Sequence, residues 1–569
     1  MKQFKEPQFI NQIKMLQSSS IETVVHANSF AAFPKYMHTE RPIEGEVIKA
    51  IEQLNMYPVK QLILLCGSVG DGKSHLLSFL KVKYPDVFQH IKVHNDATES
   101  YDPSHSSIET LEKVLQEFND NQVAEKHVIV AINMGVLHNF CQKQAEQQQF
   151  VALRKFIEKS GVFDKKTTDV QTYSQFQMYN FASERIFLVN ENGAHSPFLS
   201  EILSKIMADH EGNPIYSAWK QDMAEGNYTM AHLNYQLLQN ETIQHRVLEK
   251  LYHVMIRDKV ILSTRAFYHF IFTLIMPTTQ EMDSSKTSFG IEHTLPNLLF
   301  NRPERSTLLE HIHQIDPLNI RYRDTDERIM NFHILTDKWG YIENQLQLYE
   351  STETEKGSVT EIYINILKNS IADKDILELS KFIVRMKDLL EPTIYTTYHE
   401  FLGYLYSYYR GEAKDLAQLF SILKDAFVKW KGSPKKDYYF VTNDVTRAYR
   451  TALPLKLKEN VGTDFGLMKG MEEISQFENY LTIGYGKYLF ELDLHLYELL
   501  KQVQGGYRPN AAELNSAIQF EDFYKQLISQ SEEESEELLI VRTKDQVQYV
   551  VSKPGFSFNG AKFEVEKVK

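Results

Sequence analysis

The first third of the chain alternates between apolar runs and segments with helical spacing. The run Leu62 to Cys66 predicts a buried strand, and a helix follows it from Lys73 to Lys83. A shorter apolar run lies at His90 to His94, and the strongest strand pattern covers His127 to Ile132. Between them, Ile108 to Phe118 has the spacing of an amphipathic helix. Strands and helices that alternate in this order predict an α/β domain with a parallel sheet.

The remainder of the chain has a different pattern. From about residue 136 it is mostly helical, apart from one strand candidate within Phe176 to Val189. The segment Lys259 to Pro277 predicts a helix capped by Ser263 or Thr264, and residues 330 to 430 look helical throughout. After about residue 475 strand-like alternation returns. The segments predicted there are a strand at Tyr480 to Leu492, a helix at Leu494 to Gln504 and two β segments at Leu538 to Ser552 and Phe556 to Val568.

The first strand and its helix enclose a loop with a recognisable chemical pattern. It fits the phosphate-binding pattern G-x-x-x-x-G-K-[ST] with Gly67, Ser68, Val69, Gly70, Asp71, Gly72, Lys73 and Ser74. The glycines let backbone N–H groups curl around a phosphate, and the helix adds its positive end. The loop residues 67–74 and the next residue, His75, are therefore predicted to contact ATP, with Lys73 on the β and γ phosphates and Ser74 as a ligand of Mg²⁺. A ligand-free glycine turn would not require the lysine and the serine.

A loop that hydrolyses ATP needs further groups, namely a carboxylate for Mg²⁺ and a polar residue that aligns water. Asp96 ends the short strand and is the candidate carboxylate and Mg²⁺ ligand, with a turn or helix cap as its alternative role. Asn133 ends the main strand, in the place of the residue called sensor 1 in AAA+ ATPases, with a strand-end turn as its alternative. Arg265 begins a helix and is the candidate sensor of the γ-phosphate, although single arginines more often form surface ion pairs.

Charge limits the kinds of partner that the chain can bind. The formal net charge of −13 argues against a protein that grips DNA over its whole surface, because phosphate binding needs positive charge. DNA contact is therefore expected to be local or supplied by a partner. The basic segment Lys424 to Lys436 around Trp430 is one candidate contact, with a solvated helix end as the alternative.

Cysteine use and hydropathy indicate the compartment. Cys66 and Cys141 form neither a C-x-x-C pair nor a spaced framework, which predicts reduced thiols in an intracellular protein. The N-terminus lacks the apolar core of a signal peptide. The longest apolar stretch, Ala266 to Met276, is far shorter than the roughly 20 residues of a membrane span. We therefore expect a cytoplasmic protein that does not contact a membrane.

These patterns predict a fold class and a set of regions. The expected fold is an α/β P-loop NTPase core with an AAA+-like parallel sheet, followed by mainly α-helical regions and a small α+β C-terminal region. A chain of 569 residues is too long for one core. The predicted regions are a helical N-terminal flank at 1–60, the NTPase core at 61–210, a helical lid-like region at 211–330, a helical domain at 331–474 and the α+β region at 475–569. Within the last region, the acidic run Ser531 to Glu537 is predicted to be a solvated linker.

Several sequence blocks together resemble one protein family. They are GSVGDGKSHLL, VHNDATES, VIVAINMGVLHNF, LPNLLFNRPERS with IDPLNIR, and LYELLKQVQGGYRPN. In these blocks the chain is similar to DptF, the DNA phosphorothioation-dependent restriction proteins of bacteria. The resemblance runs from before the phosphate loop to near residue 510. The NDATES and AINMGVL blocks carry its specificity, because many families share the phosphate loop.

The resemblance implies a role in antiviral defence. Such proteins act with DptG and DptH companions and restrict DNA that lacks sulfur in place of a non-bridging phosphate oxygen. Carried over by position, Gly67, Gly72, Lys73 and Ser74 are the nucleotide motif, with ATP and Mg²⁺ as the cofactors. No nuclease residue is transferred. The main strand ends in Asn133 where many P-loop enzymes have Asp-Glu, so the resemblance supports nucleotide binding more strongly than hydrolysis.

Three functions stay open at this point. The first is an ATP-hydrolysing subunit of the restriction complex, and the second is a nucleotide-gated regulatory or scaffold subunit with little turnover. The third is a helicase-loader-like AAA+ protein unrelated to restriction. A homo-oligomer is an alternative to a monomer in each case. Candidate arginine fingers that would act in a neighbouring subunit are Arg302, Arg305 and Arg321.

Overall fold

The computed structural model describes most of the chain. The described residues are 7–17, 32–95, 107–120, 122–163, 172–182, 185–277, 290–319, 323–347, 368, 376–391, 396–441, 446–552 and 563–568. The helices are α1 Gln8–Ile13, α2 Ala32–Met37, α3 Pro42–Glu52, α4 Lys73–Lys83, α5 Pro85–Phe88, α6 Ser107–Leu115, α7 Met134–Glu146, α8 Val151–Lys159, α9 Pro197–Met207, α10 Pro214–Ala224, α11 Met230–Leu238, α12 Glu241–Arg257, α13 Thr264–Ile275, α14 Leu295–Phe300, α15 Thr307–Gln314, α16 Arg323–Ile334, α17 Lys338–Gln347, α18 Ile376–Leu390, α19 Thr397–Arg410, α20 Ala413–Lys431, α21 Leu494–Gln504, α22 Ala511–Ser516 and α23 Ile518–Glu534.

The strands belong to four sheets. They are β1 Leu62–Gly67, β2 Ile91–His94, β3 His127–Asn133, β4 Thr172–Tyr173, β5 Phe176–Asn180, β6 Leu188–Asn190, β7 Gly193–His195, β8 Tyr438–Phe440, β9 Tyr449–Pro454, β10 Glu459–Val461, β11 Tyr480–Tyr485, β12 Tyr488–Asp493, β13 Glu537–Arg542, β14 Gln548–Ser552 and β15 Glu564–Lys567.

The chain forms two compact units. The first consists of Met1–Phe187, Ser196–Leu251 and Ile261–Pro392, and the second of Leu188–His195, Tyr252–Val260 and Thr393–Lys569. This division is coarser than the five regions expected from the sequence, whose boundaries stay predictions.

The first unit contains a five-stranded sheet in the order β2, β3, β1, β5, β4. Strand β1 pairs in parallel with β3 and β5, and β2 pairs in parallel with β3. Only β4 is antiparallel to its neighbour. The sheet is therefore mostly parallel, and the predicted α/β organisation of this part of the chain is confirmed. The carboxyl ends of β1, β2, β3 and β5 lie along one edge of the sheet.

Strand β1 is buried along its whole length, and its side chains alternate between two cores. Leu62, Leu64 and Cys66 pack into a core with residues of α6, α7 and α8. Ile63 and Leu65 pack into a second core with residues of α3 and α4. Helices therefore cover both faces of the sheet. This explains why β1 is a continuous apolar run rather than an alternating one.

Helices make up most of the first unit beyond residue 196, and a buried ion pair connects three of its segments. Arg385 in α18 contacts Asp316, which follows α15, at 2.6 Å between Nη2 and Oδ2, and the side chains are only 4% and 1% exposed. Arg385 also donates to Oδ1 of Asn297 in α14 at 2.7 Å. The guanidinium group thereby satisfies the polar groups of two neighbouring segments inside the protein.

A second buried polar group lies at the start of α11. His232 is fully buried, and its Nδ1 accepts a hydrogen bond from the backbone N–H of Thr229 at 3.0 Å. Its Nε2 lies 3.4 Å from Oδ2 of Asp222, which also accepts from the backbone N–H of Phe9 at 2.8 Å. Because Nδ1 is an acceptor here, the ring fits the fold in its neutral form. Burial lowers the pKa of His232 from its ordinary value of 6.5 to about 4.

This histidine predicts an acid-sensitive fold. Since the pKa of His232 is lower in the folded chain than in the unfolded one, the unfolded chain takes up the proton first. Its contribution to the free energy of unfolding should be complete above about pH 6.5. As the pH falls toward 4, the free energy of unfolding should decrease by about 3 kcal/mol. Urea unfolding between pH 4.5 and 7.5 measures this loss. In His232→Gln the pH dependence should be smaller by this amount, whereas the exposed His90→Gln should leave it unchanged.

The second unit combines two antiparallel sheets with helices. One sheet has the order β15, β14, β13, β9, β8, and the other has the order β10, β11, β12. The predicted helix Leu494 to Gln504 is α21 with the same bounds. The predicted strand Tyr480 to Leu492 is instead a hairpin of β11 and β12. Strands β8, β9 and β10 fall within a segment for which the sequence indicated helices.

The acidic run at residues 531–537 is not a linker, contrary to the prediction. Helix α23 continues to Glu534, and β13 begins at Glu537. Ser531 is buried, and its hydroxyl donates to the carbonyl oxygen of Pro454 at 2.7 Å. Glu532, Glu533 and Glu534 therefore form the exposed last turn of a helix that Ser531 anchors, and Glu536 and Glu537 lead into β13.

The basic segment around Trp430 does not offer a stacking surface. Trp430 is buried, and its indole N–H donates to Oε1 of Glu521 at 2.6 Å. Lys431 is buried beside it and contacts Oε2 of the same glutamate at 2.6 Å. Both side chains bond to the carboxylate of Glu521 inside the protein. Trp430 therefore cannot stack on a nucleic-acid base without leaving the core.

None of the helices in the described ranges combines the length and the apolar character that a bilayer crossing needs. Cys66 and Cys141 are both free thiols, as predicted. Burial raises the pKa of Cys66 to about 12 and that of Cys141 to about 11, so both thiols are poor nucleophiles.

Candidate phosphate-binding site

The glycine-rich loop lies at the carboxyl end of the central strand β1, between the ends of β3 and β5. Gly70 and Gly72 have φ values of +87° and +90°, a region that disfavours side chains with a Cβ. Gly72 is the N-cap of α4, and its carbonyl accepts from the backbone N–H of Leu76 at 2.9 Å. The chain therefore turns sharply at Gly70 and Gly72, and helix α4 begins at Lys73.

Contacts inside the loop hold it in one conformation. Asp71 is buried, and its Oδ2 accepts from the backbone N–H of Ser68 at 2.5 Å. The ammonium group of Lys73 donates to the carbonyl oxygen of Ser68 at 2.6 Å. Val69, at the tip, is 60% exposed. The lysine therefore lies along the loop, within reach of a ligand that enters from solvent.

Strand β2, which β3 separates from β1 in the sheet, brings a second segment to the loop. The hydroxyl of Ser74 donates to the carbonyl oxygen of Asn95 at 3.3 Å. The side-chain oxygen of Asn95 is buried, and no residue in the described part of the chain hydrogen-bonds to it. Asp96, the predicted carboxylate, lies outside the described residues. Its role as a Mg²⁺ ligand stays a prediction, and it directly follows a residue that contacts Ser74.

Asn133 lies beside the loop in the sheet. It is the register partner of Gly67 across β1 and β3. Its side-chain oxygen accepts from the backbone N–H of Gly135 at 2.8 Å and so caps α7. Asn133 therefore lies beside the loop, as predicted, and its oxygen caps a helix where the sequence offered a strand-end turn as the alternative. The amide nitrogen is the part of this side chain that could contact a water molecule.

Arg265 meets the tip of the loop through its backbone. Its N–H donates to the carbonyl oxygen of Gly70 at 3.3 Å, and Ser263 caps α13 immediately before it. A Cβ on Gly70 would come within 3.0 Å of both Arg265 Cβ and Ser263 Oγ. Residues nearly 200 positions apart are thus in contact. The structure brings together the loop and Arg265, and the role as a γ-phosphate sensor stays a prediction.

The candidate arginine fingers have other surroundings. Arg305 donates to the carbonyl oxygens of Thr273 and Met276 at 2.8 and 2.6 Å, which caps the end of α13 within the same chain. Arg302 lies 3.7 Å from the carboxylate of Glu304. Arg321 lies outside the described residues.

His75 connects the loop helix to the N-terminal flank. Its Nε2 lies 3.1 Å from Nδ1 of His38, and Nε2 of His38 lies 3.1 Å from Oε1 of the buried Glu44. Burial, and secondarily the nearby His38, lowers the pKa of His75 to about 4. His75 is therefore a neutral member of a polar chain, and its predicted contact with nucleotide stays a prediction.

Sequence reasoning missed one residue at the loop. The guanidinium group of Arg41 donates to the carbonyl oxygen of Asp71 at 2.7 Å. The flank was expected to lie near the nucleotide because of its position before β1. Nothing in the local pattern distinguishes Arg41 from other arginines, since its partner is a backbone oxygen 30 residues away.

The described ranges contain no group of three or more His, Cys, Asp or Glu side chains that could hold a metal ion. No protein-family profile, curated protein sequence or solved structure matches this chain significantly.

Proposed function

We propose that this chain binds ATP and Mg²⁺ at residues 67–74 and hydrolyses the nucleotide as one subunit of a bacterial phosphorothioation-dependent restriction system. One observation carries the nucleotide part, namely the buried strand, the loop with two positive-φ glycines and the helix that begins at Lys73. Free N–H groups and the dipole at such a helix start attract phosphate. The restriction part is supported by the sequence blocks that resemble DptF.

The residues of the loop fit a phosphate chain. A Cβ on Gly67 would lie 2.7 Å from Asp71 Oδ2 and 3.5 Å from Lys73 Nζ, so the missing side chain keeps the space between them open. The backbone N–H groups and Lys73 would hold the phosphates, and the Ser74 hydroxyl would be a ligand of Mg²⁺. When bound, Mg²⁺ supplies neutralisation of the phosphate charge.

Four residues around the loop would each have a different role in hydrolysis. Lys73 would stabilise negative charge on the phosphate oxygens as it increases. Asn133 would orient a water molecule through its amide nitrogen, because its oxygen caps α7. Asp96 would hold Mg²⁺, and the contact of the preceding residue with Ser74 supports this role. Arg265 would transmit occupancy of the loop to α13 through its bond to Gly70.

A nucleotide-gated subunit with little turnover is the second candidate. It is favoured by Asn133, whose oxygen is already used as a helix cap. In that case ATP would set the conformation of the loop and of α13 without being consumed. Both candidates require the same binding site, so turnover separates them.

The test measures ATP binding and ATP hydrolysis by the purified protein, alone and with DptG and DptH, and with DNA that carries or lacks phosphorothioate. We expect Mg²⁺-dependent binding by the protein alone and turnover that rises with the companions and unmarked DNA. Absence of binding under every condition would contradict the nucleotide proposal. A rate of ATP hydrolysis that does not change with DptG, DptH or DNA would contradict only the restriction proposal. Binding with background turnover throughout would support the second candidate.

A further inference from the structure

The segment of residues 36–44, here called the flank strap, is docked beside the phosphate loop by several contacts. The hydroxyl of Tyr36 donates to the carbonyl oxygen of Lys205 in α9 at 2.8 Å. The ammonium group of Lys205 in turn donates to the carbonyl oxygen of His38. Tyr268 in α13 donates to the carbonyl oxygen of Met37 at 3.5 Å. Two helices of the first unit therefore fix the strap where it passes the loop.

Arg41 is the strap residue that contacts the loop itself. Its Nη1 donates to the carbonyl oxygen of Asp71 at 2.7 Å. Its guanidinium carbon lies 5.4 Å from the ring centre of Phe181 and 5.2 Å from that of Phe198. Cation–π contact with two rings restricts the guanidinium group without neutralising it. The arginine is thus a fixed donor on the outer side of the loop.

Because the peptide bond is rigid, the contact of Arg41 with the Asp71 carbonyl also fixes the direction of the Gly72 N–H. A trans peptide is planar, so its C=O and N–H groups point in opposite directions. Holding the Asp71 carbonyl on Arg41 therefore directs the Gly72 N–H away from the strap. The preceding peptide is held on both sides, since the Gly70 carbonyl accepts from the Arg265 N–H and the Asp71 N–H donates to the carbonyl oxygen of Ser68 at 3.4 Å. Of these two peptides, the Asp71–Gly72 peptide is therefore the one that Arg41 orients.

We propose that Arg41 is a positioning residue that aims the Gly72 N–H of the phosphate loop at a bound diphosphate. The inference deepens the proposed nucleotide site and rests on it. Backbone N–H groups of this kind of loop cradle the α and β phosphates. Gly72 is free to turn, because it has no side chain and a Cβ there would meet nothing within 4 Å. Without Arg41 the Asp71–Gly72 peptide can rotate, and the N–H loses its fixed direction.

The test compares ADP with inorganic pyrophosphate, which has the phosphates but no base or ribose. Affinities are measured by displacement of a fluorescent ADP analogue from the full chain, for the wild type, Arg41→Ala and Arg41→Lys. In Arg41→Ala we expect both ligands to bind about 10-fold more weakly, the effect of one lost bond to a charged group. Arg41→Lys keeps one donor group, so its affinities should lie between those of the wild type and those of Arg41→Ala. Arg154→Ala, which removes an arginine that also donates to a backbone carbonyl oxygen, that of Gln149 outside the loop, is the matched control and should bind as the wild type does.

The outcomes separate this role from others. Equal weakening of ADP and pyrophosphate supports the inference. If only ADP is weakened, Arg41 acts on the base or ribose and the inference is wrong, and it is equally wrong if neither ligand is affected. A wild type that binds neither ligand overturns the proposed nucleotide site and this inference together. Circular dichroism and thermal unfolding check the fold of each variant. If Arg41→Ala unfolds, the comparison of Arg41→Lys with the wild type decides the question.

Discussion

The variant Lys73→Ala is expected to lose ATP binding by about 10- to 100-fold, because a bond from an ammonium to a charged phosphate is worth about 1.5–3 kcal/mol. Turnover should fall further, by about 100- to 1000-fold, since the same ammonium group stabilises charge that grows in the transition state. The fold should not change. Lys73 is half-buried, and it donates to the carbonyl oxygen of Ser68 within the loop. Equilibrium binding of a fluorescent ATP analogue and steady-state phosphate release measure the two effects.

Lys81→Ala is the matched control for this experiment. Lys81 lies in the same helix α4, two turns beyond Lys73, and its side chain is exposed. Removing it changes the net charge by the same amount and leaves the loop untouched, so binding and turnover should stay at the wild-type level. Equal losses in the two variants would mean that general charge, rather than the loop, governs ATP affinity. Undiminished turnover in Lys73→Ala would contradict the proposed site.

The sequence predicted the central part of the fold well because burial there leaves a strong local signal. Strand β1 and helix α4 have the predicted positions, and β3 extends the predicted run by the single residue Asn133. A strand enclosed by helices on both faces must be apolar at every position, and such a run is easy to recognise. The cap of α13 at Ser263 was predicted for a similar reason, since capping depends on one residue and its immediate neighbours.

Features that depend on distant segments were harder to predict. Strands β8, β9 and β10 are short and lie after a long helical stretch. Strand β10 pairs with β11 about 25 positions later and β9 pairs with β13 about 90 positions later, so distant residues decide this pairing. The acidic run at residues 531–537 looked like a linker because its charges are exposed. What anchors it is the buried Ser531 and its bond to Pro454, which no local pattern reveals.

In the candidate site too, features with a local sequence signal were predicted, and contacts between distant segments were not. The motif identified the loop, and the strand pattern identified Asn133, which is the register partner of Gly67. The contact of Arg265 with Gly70 was expected only in the loose sense that a later helix could approach the loop. Arg41 was missed entirely, because it acts on a carbonyl oxygen and backbone oxygens have no sequence signature. Polar contacts to the main chain therefore have to be read from a structure.

The variant Asp316→Ala is expected to destabilise the first unit by about 3–5 kcal/mol, which is the cost of leaving a buried charge without its partner. Arg385 is 4% exposed, and three of its contacts end on the oxygens of Asp316. The remaining acceptors, Oδ1 of Asn297 and Oδ1 of Asn301, are neutral and cannot compensate the guanidinium charge. Urea unfolding measures the loss. Because the chain has two units, hydrogen exchange of α14 and α18 should locate the loss in the first unit, with exchange at least about 100-fold faster.

Two further variants decide whether the loss comes from the uncompensated charge. Glu304→Ala also removes one carboxylate from an ion pair of the first unit, but that carboxylate is 61% exposed, so we expect a change within about 0.5 kcal/mol. In the double variant Asp316→Leu with Arg385→Met both charges are gone, and apolar replacements of buried pairs are often near neutral. It should recover most of the lost stability, apart from about 1 kcal/mol each for Asn297, which loses its donor, and for the Leu318 N–H, which loses its acceptor. If the double variant were as unstable as Asp316→Ala, lost packing rather than the buried charge would be the cause.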